Sequence, residues 1–244
     1  MFSIIIPCYN GEKTIIRCLE SITIQTSSEY EIIIINDGST DNSKLIIEEF
    51  INDNPEVDIT LENTDNYGHG PARNLGVSLA KYDYIWFVDA DDFIFSEKHH
   101  TEIEDAKRDI LSNNYPDIYI FSVFETDFHN RKKIWHFTKE DKLTTIKKSP
   151  QLVFKQNWVW NKVIKKSFLV DTNAKFRSIM MFEDIYYMMP LYYKANTIYI
   201  TRDIKYAYVK HDEALTASFS NFKSYPKALL YELLTFIKIL FKRV

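Results

Sequence analysis

Three carboxylates follow an apolar run in the stretch YIWFVDADDF, residues 84–93. Only Ala90 separates Asp89 from the pair Asp91 and Asp92. Negative charges crowded at the end of a segment built for burial repel one another and lose hydration unless a cation neutralises them. Carboxylate oxygens are the ligands that Mg²⁺ and Mn²⁺ prefer. The stretch is therefore a candidate metal site, although Asp also caps turns and helices without any metal.

The chemistry of Mg²⁺ indicates what kind of ligand would accompany it. In proteins this ion shares its coordination between one or two carboxylates and substrate phosphates. The sequence contains no G-x-x-x-x-G-K-[ST] loop, and the run GHGPARNLG, residues 68–76, does not match G-x-G-x-x-G. A phosphate-bearing ligand would therefore be held by the metal, helped by Arg73 or by lysine side chains.

Short β-branched runs alternate with helical patterns through the first part of the chain. Strands are predicted at Phe2–Ile6, Tyr30–Asn36, Val57–Glu62 and Tyr84–Val88. Helices are predicted at Glu12–Gln25, Asp41–Asn54 and Pro71–Tyr82. The alternation predicts an α/β fold with a mostly parallel sheet covered on both faces. Ligands bind such sheets outside the carboxyl ends of the strands, where PCYNGE, DGSTD and DADD should meet.

The pattern changes after Phe93. It predicts a helix over about residues 97–113, a strand at 117–124, a hairpin turning near Asn130, a helix from Glu183, and two strands at 196–201 and 204–210. The final apolar stretch, ALLYELLTFIKILFKRV, predicts a helix with a narrow polar stripe. That helix either packs on the domain or contacts a membrane surface or a partner such as another copy of the chain.

Composition excludes several classes of protein. With 244 residues, 45% of them hydrophobic and 26% charged, the chain predicts a globular protein of one large domain with an extension. A net charge of −4 gives no basic field for nucleic acid. The two cysteines, the lack of a leader and the lack of an 18-residue apolar run predict a cytoplasmic protein.

Six ordered blocks together carry a family resemblance. The blocks are SIIIPCYNGEKTI, IIINDGSTDNS, NYGHGPARNLG, YIWFVDADD, VWNKVIKKSFL and FEDIYYM. Their order and spacing resemble the family-2 glycosyltransferases of the GT-A fold. The resemblance implies a GT-A domain over residues 1–216, with a nucleotide-binding half at 1–95, an acceptor-side half at 96–216, and a helical extension at 217–244.

The resemblance also implies residue roles. Pro7 and Tyr9 would line the base, Asp37 would bond the uracil or ribose, and Arg73 would contact the nucleotide. Asp91 would be the direct ligand of Mn²⁺ or Mg²⁺. Asp89 would share the metal or bond the ribose, Asp92 would face the donor sugar or act from behind the metal ligands, and His211 would be either a metal ligand or a surface residue.

The acceptor side of the site is implied by the last two blocks. Asp184 of FEDIYYM would be the catalytic base, with Glu183 beside it near the start of a helix. Trp160 and Lys162 of the WNK block would lie beside the acceptor, although buried packing is equally compatible with Trp160.

The implied function is inverting transfer of a hexose or N-acetylhexosamine from a UDP-sugar to a saccharide or lipid-linked acceptor. Such enzymes build bacterial surface polysaccharide or lipooligosaccharide at the inner face of the membrane. One alternative is a haloacid-type phosphatase or phosphotransferase, but that chemistry places its nucleophilic Asp after the first strand, where this chain has PCYN. A second alternative is a nucleotide-sugar-binding module without catalysis.

Overall fold

The computed structural model describes residues 1–27, 29–96, 99–127, 132–149, 152, 157–178 and 183–210. The strands are Phe2–Cys8 (β1), Tyr30–Asp37 (β2), Ile59–Thr64 (β3), Tyr84–Phe87 (β4), Phe93–Ile94 (β5), Ile118–Asp127 (β6), Lys132–Trp135 (β7), Lys142–Thr144 (β8), Lys162–Lys165 (β9) and Ile198–Lys210 (β10). The helices are Ile15–Thr23 (α1), Ser43–Asp53 (α2), His69–Leu79 (α3), Glu102–Ser112 (α4), Lys166–Thr172 (α5) and Glu183–Lys194 (α6).

One mixed sheet runs through the molecule in the order β3-β2-β1-β4-β9-β6-β10-β5, with β7 on β6 and β8 on β10. The first four strands in this order pair parallel to one another, and β10 also pairs parallel to β6. Antiparallel β9 joins these two parallel groups, because it pairs with both β4 and β6. The predicted α/β fold is confirmed, and the sheet continues across both predicted halves.

Helices cover both faces of this sheet, which explains why every residue of β1, β2 and β4 is buried. Side chains such as Ile4 and Trp86 point to the face covered by α1, α2 and α4. Their neighbours Ile5 and Phe87 point to the opposite face, which is covered by α3, α5 and α6. The continuous apolar runs in the sequence are therefore strands buried on two sides.

Helix α3 lies unusually close to β1 at Gly76. A Cβ at that position would stand 2.3 Å from Cγ2 of Ile5, so only glycine allows this approach. The helix begins at His69, two residues before the predicted start at Pro71, which falls within the first turn, where a missing N–H is tolerated. Gly76 thereby sets the depth at which Arg73, one turn earlier, enters the site.

Two other predictions need correction. The strands predicted at 196–201 and 204–210 form one long strand, β10, whose register against β6 shifts between Ile200 and Ile204 and again before Tyr206. A bulge of this kind keeps the chain extended while it changes which residues pair. The third strand begins at Ile59 instead of Val57. The antiparallel pairing of β6 with β7 agrees with the predicted hairpin, whose turn near Asn130 lies outside the described residues.

The predicted C-terminal extension at 217–244 and His211 lie outside the described residues. Within the part of the chain that the structure describes, no helix has both the length and the apolar character needed to cross a bilayer.

Candidate active site

The acidic turn after β4 brings three carboxylates together. Ligand oxygens of Asp89, Asp91 and Asp92 lie within 4.8 Å of one another. The Asp92 N–H closes the turn by donating to the Asp89 carbonyl at 3.0 Å. From α1, the Arg17 guanidinium donates to the Asp91 carbonyl and fixes the backbone of the turn. The clustering expected from the DADD sequence is confirmed.

Asp92 anchors this turn to the end of β10. It is 1% exposed, and the Tyr206 hydroxyl donates to its Oδ2 at 2.7 Å while the Val209 N–H donates to its Oδ1 at 2.8 Å. The same Tyr206 oxygen accepts the Asp89 N–H at 3.1 Å. Burial, followed by repulsion from Asp91 and Asp89, raises the pKa of the Asp92 carboxyl well above its ordinary value. Asp92 was predicted either to act from behind the metal ligands or to face the donor sugar. Its buried position suits the first of these roles.

Arg73 of α3 links the acidic turn to the start of α6. Its Nη2 lies 2.8 Å from Oδ1 of Asp89, its Nη1 donates to Glu183, and Nη1 lies 3.7 Å from Oδ1 of Asp184. Burial alone would lower the pKa of the guanidinium, but Asp89, Asp184 and Glu183 raise it above its ordinary value. Arg73, which is predicted to contact the nucleotide, is thus a buried cation that three carboxylates share.

Asp184, the predicted base, is held on two sides. The Val159 N–H donates to its Oδ2 at 3.1 Å, and its buried Oδ1 faces Arg73 without a hydrogen-bond partner among the described residues. Burial raises the pKa of the Asp184 carboxyl, Arg73 opposes the rise, and Asp89 adds to it. The pKa of Glu183 is raised in the same way, first by burial. A carboxylate whose proton affinity is raised by burial is suited to general-base chemistry.

Asp37, at the end of β2, holds the loop between β3 and α3. Its Oδ1 accepts from the Thr64 hydroxyl at 2.7 Å and from the Tyr67 N–H at 2.8 Å, and its Oδ2 accepts from the Gly68 N–H at 2.7 Å. Gly38 follows with φ of 71°, where a Cβ would stand 2.7 Å from the Asn66 nitrogen. The residue predicted to bond the nucleoside therefore uses both oxygens to shape the adjoining loop.

Two exposed tyrosines flank this region. Tyr9 follows β1 and is 42% exposed, and Tyr67 sits on the loop held by Asp37 and is 60% exposed. The Asn10 side chain accepts the Thr40 N–H at 2.8 Å, which ties the β1 loop to the loop after β2. Pro7 lies inside β1 and is buried. Tyr9 lies at the carboxyl edge of the sheet, as predicted. Tyr67 presents a second aromatic surface, which was not predicted from the sequence.

The WNK block, residues 160–162, is buried more deeply than a surface that binds an acceptor would be. Trp160 is 5% exposed and stacks on Tyr206 and Tyr208 at centroid distances of 5.0 and 5.5 Å. The side chain of Lys162 is 0% exposed and donates to the Trp158 carbonyl. Trp158, which is 36% exposed, presents the accessible indole of the block.

The residues of the acidic turn fit a hard divalent cation. Three carboxylates converge there with ligand oxygens within 4.8 Å of one another, and burial, followed by repulsion from Asp91 and Asp89, raises the pKa of Asp92. Arg73 contacts one oxygen of Asp89, and Asp91 belongs to the same cluster of carboxylates. Asp89 and Asp91 are therefore the residues that would hold such an ion, with Asp92 behind them.

The class of fold is shown by comparison with solved structures. A crystal structure of residues 1–349 of S. aureus TarS in complex with UDP-GlcNAc superposes with a TM-score of 0.80, over 98% of this chain and 66% of that one, at 23% identity. Another crystal structure of the same TarS fragment gives a TM-score of 0.73 at 26% identity, over 85% of this chain and 60% of that one. The architecture is that of the GT-A fold.

The family follows from the sequence comparison. The model of glycosyl transferase family 2 matches residues 3–168, more than half of the chain, and so the chain belongs to this family. Glycosyltransferase YibD of Escherichia coli is 30% identical over 88% of this chain and 62% of its own length. The poly(ribitol-phosphate) beta-glucosyltransferase of Bacillus spizizenii is 31% identical over 86% of this chain. This chain spans only 32% of that enzyme's length.

Several residues that build the site were not identified from the sequence. Arg17, Tyr206 and Val159 act through contacts with residues far away in the chain. No local pattern distinguishes them from ordinary helix, strand or loop residues. Tyr67 did carry a signal in the sequence, because it lies inside the NYGHGPARNLG block that resembles the family.

Proposed function

We propose that this protein is an inverting glycosyltransferase that moves a sugar from a UDP-sugar to a saccharide or lipid-linked acceptor. The observation that carries the proposal is the position of Arg73 between the acidic turn and Asp184. Direct displacement needs charge stabilisation at the departing phosphate and a base on the opposite side of the sugar. A divalent cation held by the acidic turn would supply the first function and Asp184 the second, and Arg73 fixes the turn and Asp184 relative to each other.

In the proposed reaction, Asp184 accepts the proton of an acceptor hydroxyl. The hydroxyl oxygen forms a bond to the anomeric carbon while the bond from that carbon to the phosphate oxygen breaks, and UDP leaves with the electron pair. The raised pKa of Asp184 supports the role of proton acceptor. Arg73 keeps the carboxylate in place before the hydroxyl arrives.

The donor is proposed to bind where Tyr9 and Tyr67 are exposed beside the loop held by Asp37. An aromatic side chain on a fixed loop offers a flat surface for a base. A divalent cation held by Asp89 and Asp91 would neutralise charge on the diphosphate of the leaving group. The buried Asp92 keeps the turn attached to Tyr206.

The relatives indicate a class of substrates. UDP-GlcNAc is the ligand in the S. aureus TarS complex, and the Bacillus spizizenii relative is a poly(ribitol-phosphate) glucosyltransferase. We therefore propose that the donor carries glucose or N-acetylglucosamine and that the acceptor belongs to a bacterial surface polymer. This chain covers only part of the length of these relatives. The identities of the sugar and the acceptor are therefore part of the proposal.

The deciding experiment is a panel of UDP-, GDP-, CDP- and dTDP-sugars tested with and without Mn²⁺. We expect a UDP-sugar to raise the melting temperature and to be hydrolysed slowly, both only when the metal is present.

Asp184→Asn should retain donor binding and lose turnover, whereas Asp171→Asn, at an exposed position on α5, should retain both. Metal-independent UDP binding, or unchanged turnover in Asp184→Asn, would contradict the proposal. Phosphate release from a sugar phosphate without nucleotide would favour a phosphatase.

A further inference from the structure

The loop before β9 places one peptide group between the side chains of Lys162 and Asp184. The Lys162 ammonium donates to the carbonyl of Trp158, and the Val159 N–H donates to Oδ2 of Asp184 at 3.1 Å. This carbonyl and this N–H belong to the same peptide unit. Because a trans peptide is planar and directs its C=O and N–H in opposite directions, Lys162 and Asp184 contact the unit from opposite sides.

Lys162 is an unusual residue for a purely structural task. Its side chain is completely buried, and its ammonium also donates to the Asn161 side chain and lies 5.9 Å from the centroid of the Tyr192 ring. Burying a lysine is costly, and burial lowers the pKa of this one well below its ordinary value. An apolar residue of the same length would fill the space without that cost, so the donor group itself needs an explanation.

Lys162 supplies a donor to the carbonyl of this peptide. Aromatic contacts hold the neighbouring side chains, because Trp158 stacks on Trp160 at 5.6 Å and Trp135 packs at a tilt on Trp158 at 5.2 Å. Stacking does not fix the rotation of the peptide plane. A donor on the carbonyl both sets that rotation and polarises the N–H, which strengthens its bond to the carboxylate.

We propose that Lys162 is a positioning residue for Asp184, acting through the Trp158–Val159 peptide to fix the orientation of the proposed base. This inference rests on the proposed function only in the role given to Asp184. Oδ1 is buried and faces Arg73, whereas Oδ2 is the oxygen that the peptide holds. Lys162 thus sets the direction in which Oδ2 points.

The first test separates orientation from donor binding. Lys162→Met keeps the length and removes the donor, and Lys165→Met, at the partly exposed end of the same strand, is the matched control. We expect Lys162→Met to retain UDP affinity in the presence of Mn²⁺ within about twofold and to lower kcat by about 10- to 100-fold. Wild-type kcat in a folded Lys162→Met protein, or a loss of UDP affinity equal to the loss of kcat, would overturn the inference.

The second test requires no substrate and remains decisive even if the proposed transfer reaction is wrong. Hydrogen exchange of the Val159 amide, followed by NMR in ¹⁵N-labelled protein without ligand, should be about tenfold faster in Asp184→Ala than in wild type. The same acceleration is expected in Lys162→Met and not in Lys165→Met. Unchanged exchange in Asp184→Ala shows that the peptide does not hold the carboxylate and overturns the inference, even if Lys162→Met fails to fold. If no donor supports transfer by the wild type, only the proposed function fails.

Discussion

The Nη2 atom of Arg73 lies 2.8 Å from Oδ1 of Asp89, and this ion pair joins helix α3 to the acidic turn after β4. The other terminal nitrogen of the same guanidinium reaches Glu183 and faces Asp184 at the start of α6. Elements more than one hundred residues apart in sequence are therefore held in one arrangement by a single buried cation. Replacing Arg73 should therefore affect both the acidic turn and the proposed base, Asp184.

Replacing this cation should be severe. Arg73→Met leaves three partly buried carboxylates without their counter-ion, and we expect the free energy of unfolding to fall by about 3 kcal/mol. Transfer should fall by at least about 100-fold, because Asp184 loses its fixed position. Arg108→Met removes an exposed arginine from α4 and should leave both unchanged. Urea denaturation and donor hydrolysis measure the two effects, and a variant as stable as wild type would contradict the buried contacts.

The pH dependence of the reaction should reflect the environment of Asp184. Burial raises the pKa of this carboxyl, and a base must be ionised, so activity should increase as pH rises through the raised value. The acidic limb of kcat/KM should therefore lie above about pH 4, the ordinary range of an aspartate. A limb at or below that pH would show that another group is the base.

The same shift has a consequence for stability. Because the folded-state pKa of Asp184 is above the unfolded value, this carboxyl favours the folded state most below the unfolded pKa. That contribution is lost as pH rises through the folded pKa. Asp184→Asn cannot ionise, so its stability relative to wild type should increase over this window. Chemical denaturation at a series of pH values would detect the effect, and a parallel pH dependence in the two proteins would contradict it.

Tyr206 should link the stability of the acidic turn to metal-dependent binding. Tyr206→Phe leaves Oδ2 of Asp92 without its donor and the Asp89 N–H without its acceptor, which should lower stability by about 1–3 kcal/mol. We also expect UDP affinity in Mn²⁺ to fall by about tenfold, because the turn is no longer fixed.

Tyr119→Phe is the matched control. Its hydroxyl also donates to a partly buried carboxylate, that of Asp109, at 2.8 Å, but on α4 away from the acidic turn. This variant should lose stability while retaining UDP affinity. Calorimetry with UDP and Mn²⁺ distinguishes the two variants, and an equal loss of affinity in both would contradict a specific role for Tyr206.

Asp37 should contribute to donor binding through the position of Tyr67. Asp37→Ala removes the acceptor for the Thr64 hydroxyl at the end of β3 and for two N–H groups of the β3–α3 loop, and we expect UDP affinity to fall by about tenfold or more. Tyr67→Ala should lose a comparable amount, because stacking on a base is worth about 1–3 kcal/mol. Tyr193→Ala, an exposed tyrosine on α6, is the control and should bind UDP normally. Full affinity in Tyr67→Ala would place the base elsewhere.

Strand positions and the acidic turn were predictable because their causes are local. A β-branched run buried on both faces must be apolar throughout, so β1, β2 and β4 are legible in the sequence. Carboxylates placed directly after such a strand are delivered to the carboxyl edge of the sheet, which is why the DADD cluster was found correctly. The start of α6 was correct for a similar reason, because acidic residues favour the first turn of a helix.

The tertiary structure decided how deeply the side chains of the site are buried and which groups they contact. The family resemblance implies that Lys162 and Trp160 lie beside the acceptor, but the packing of β9 between β4 and β6 buries Lys162, and Tyr206 and Tyr208 of β10 cover Trp160. Arg73 is predicted to contact the nucleotide, and the tertiary structure adds that Gly76 lets its helix approach β1 and that three carboxylates surround its guanidinium. The physical reason is that a side chain's charge is encoded locally, whereas its desolvation and its partners depend on segments that come close only when the sheet forms.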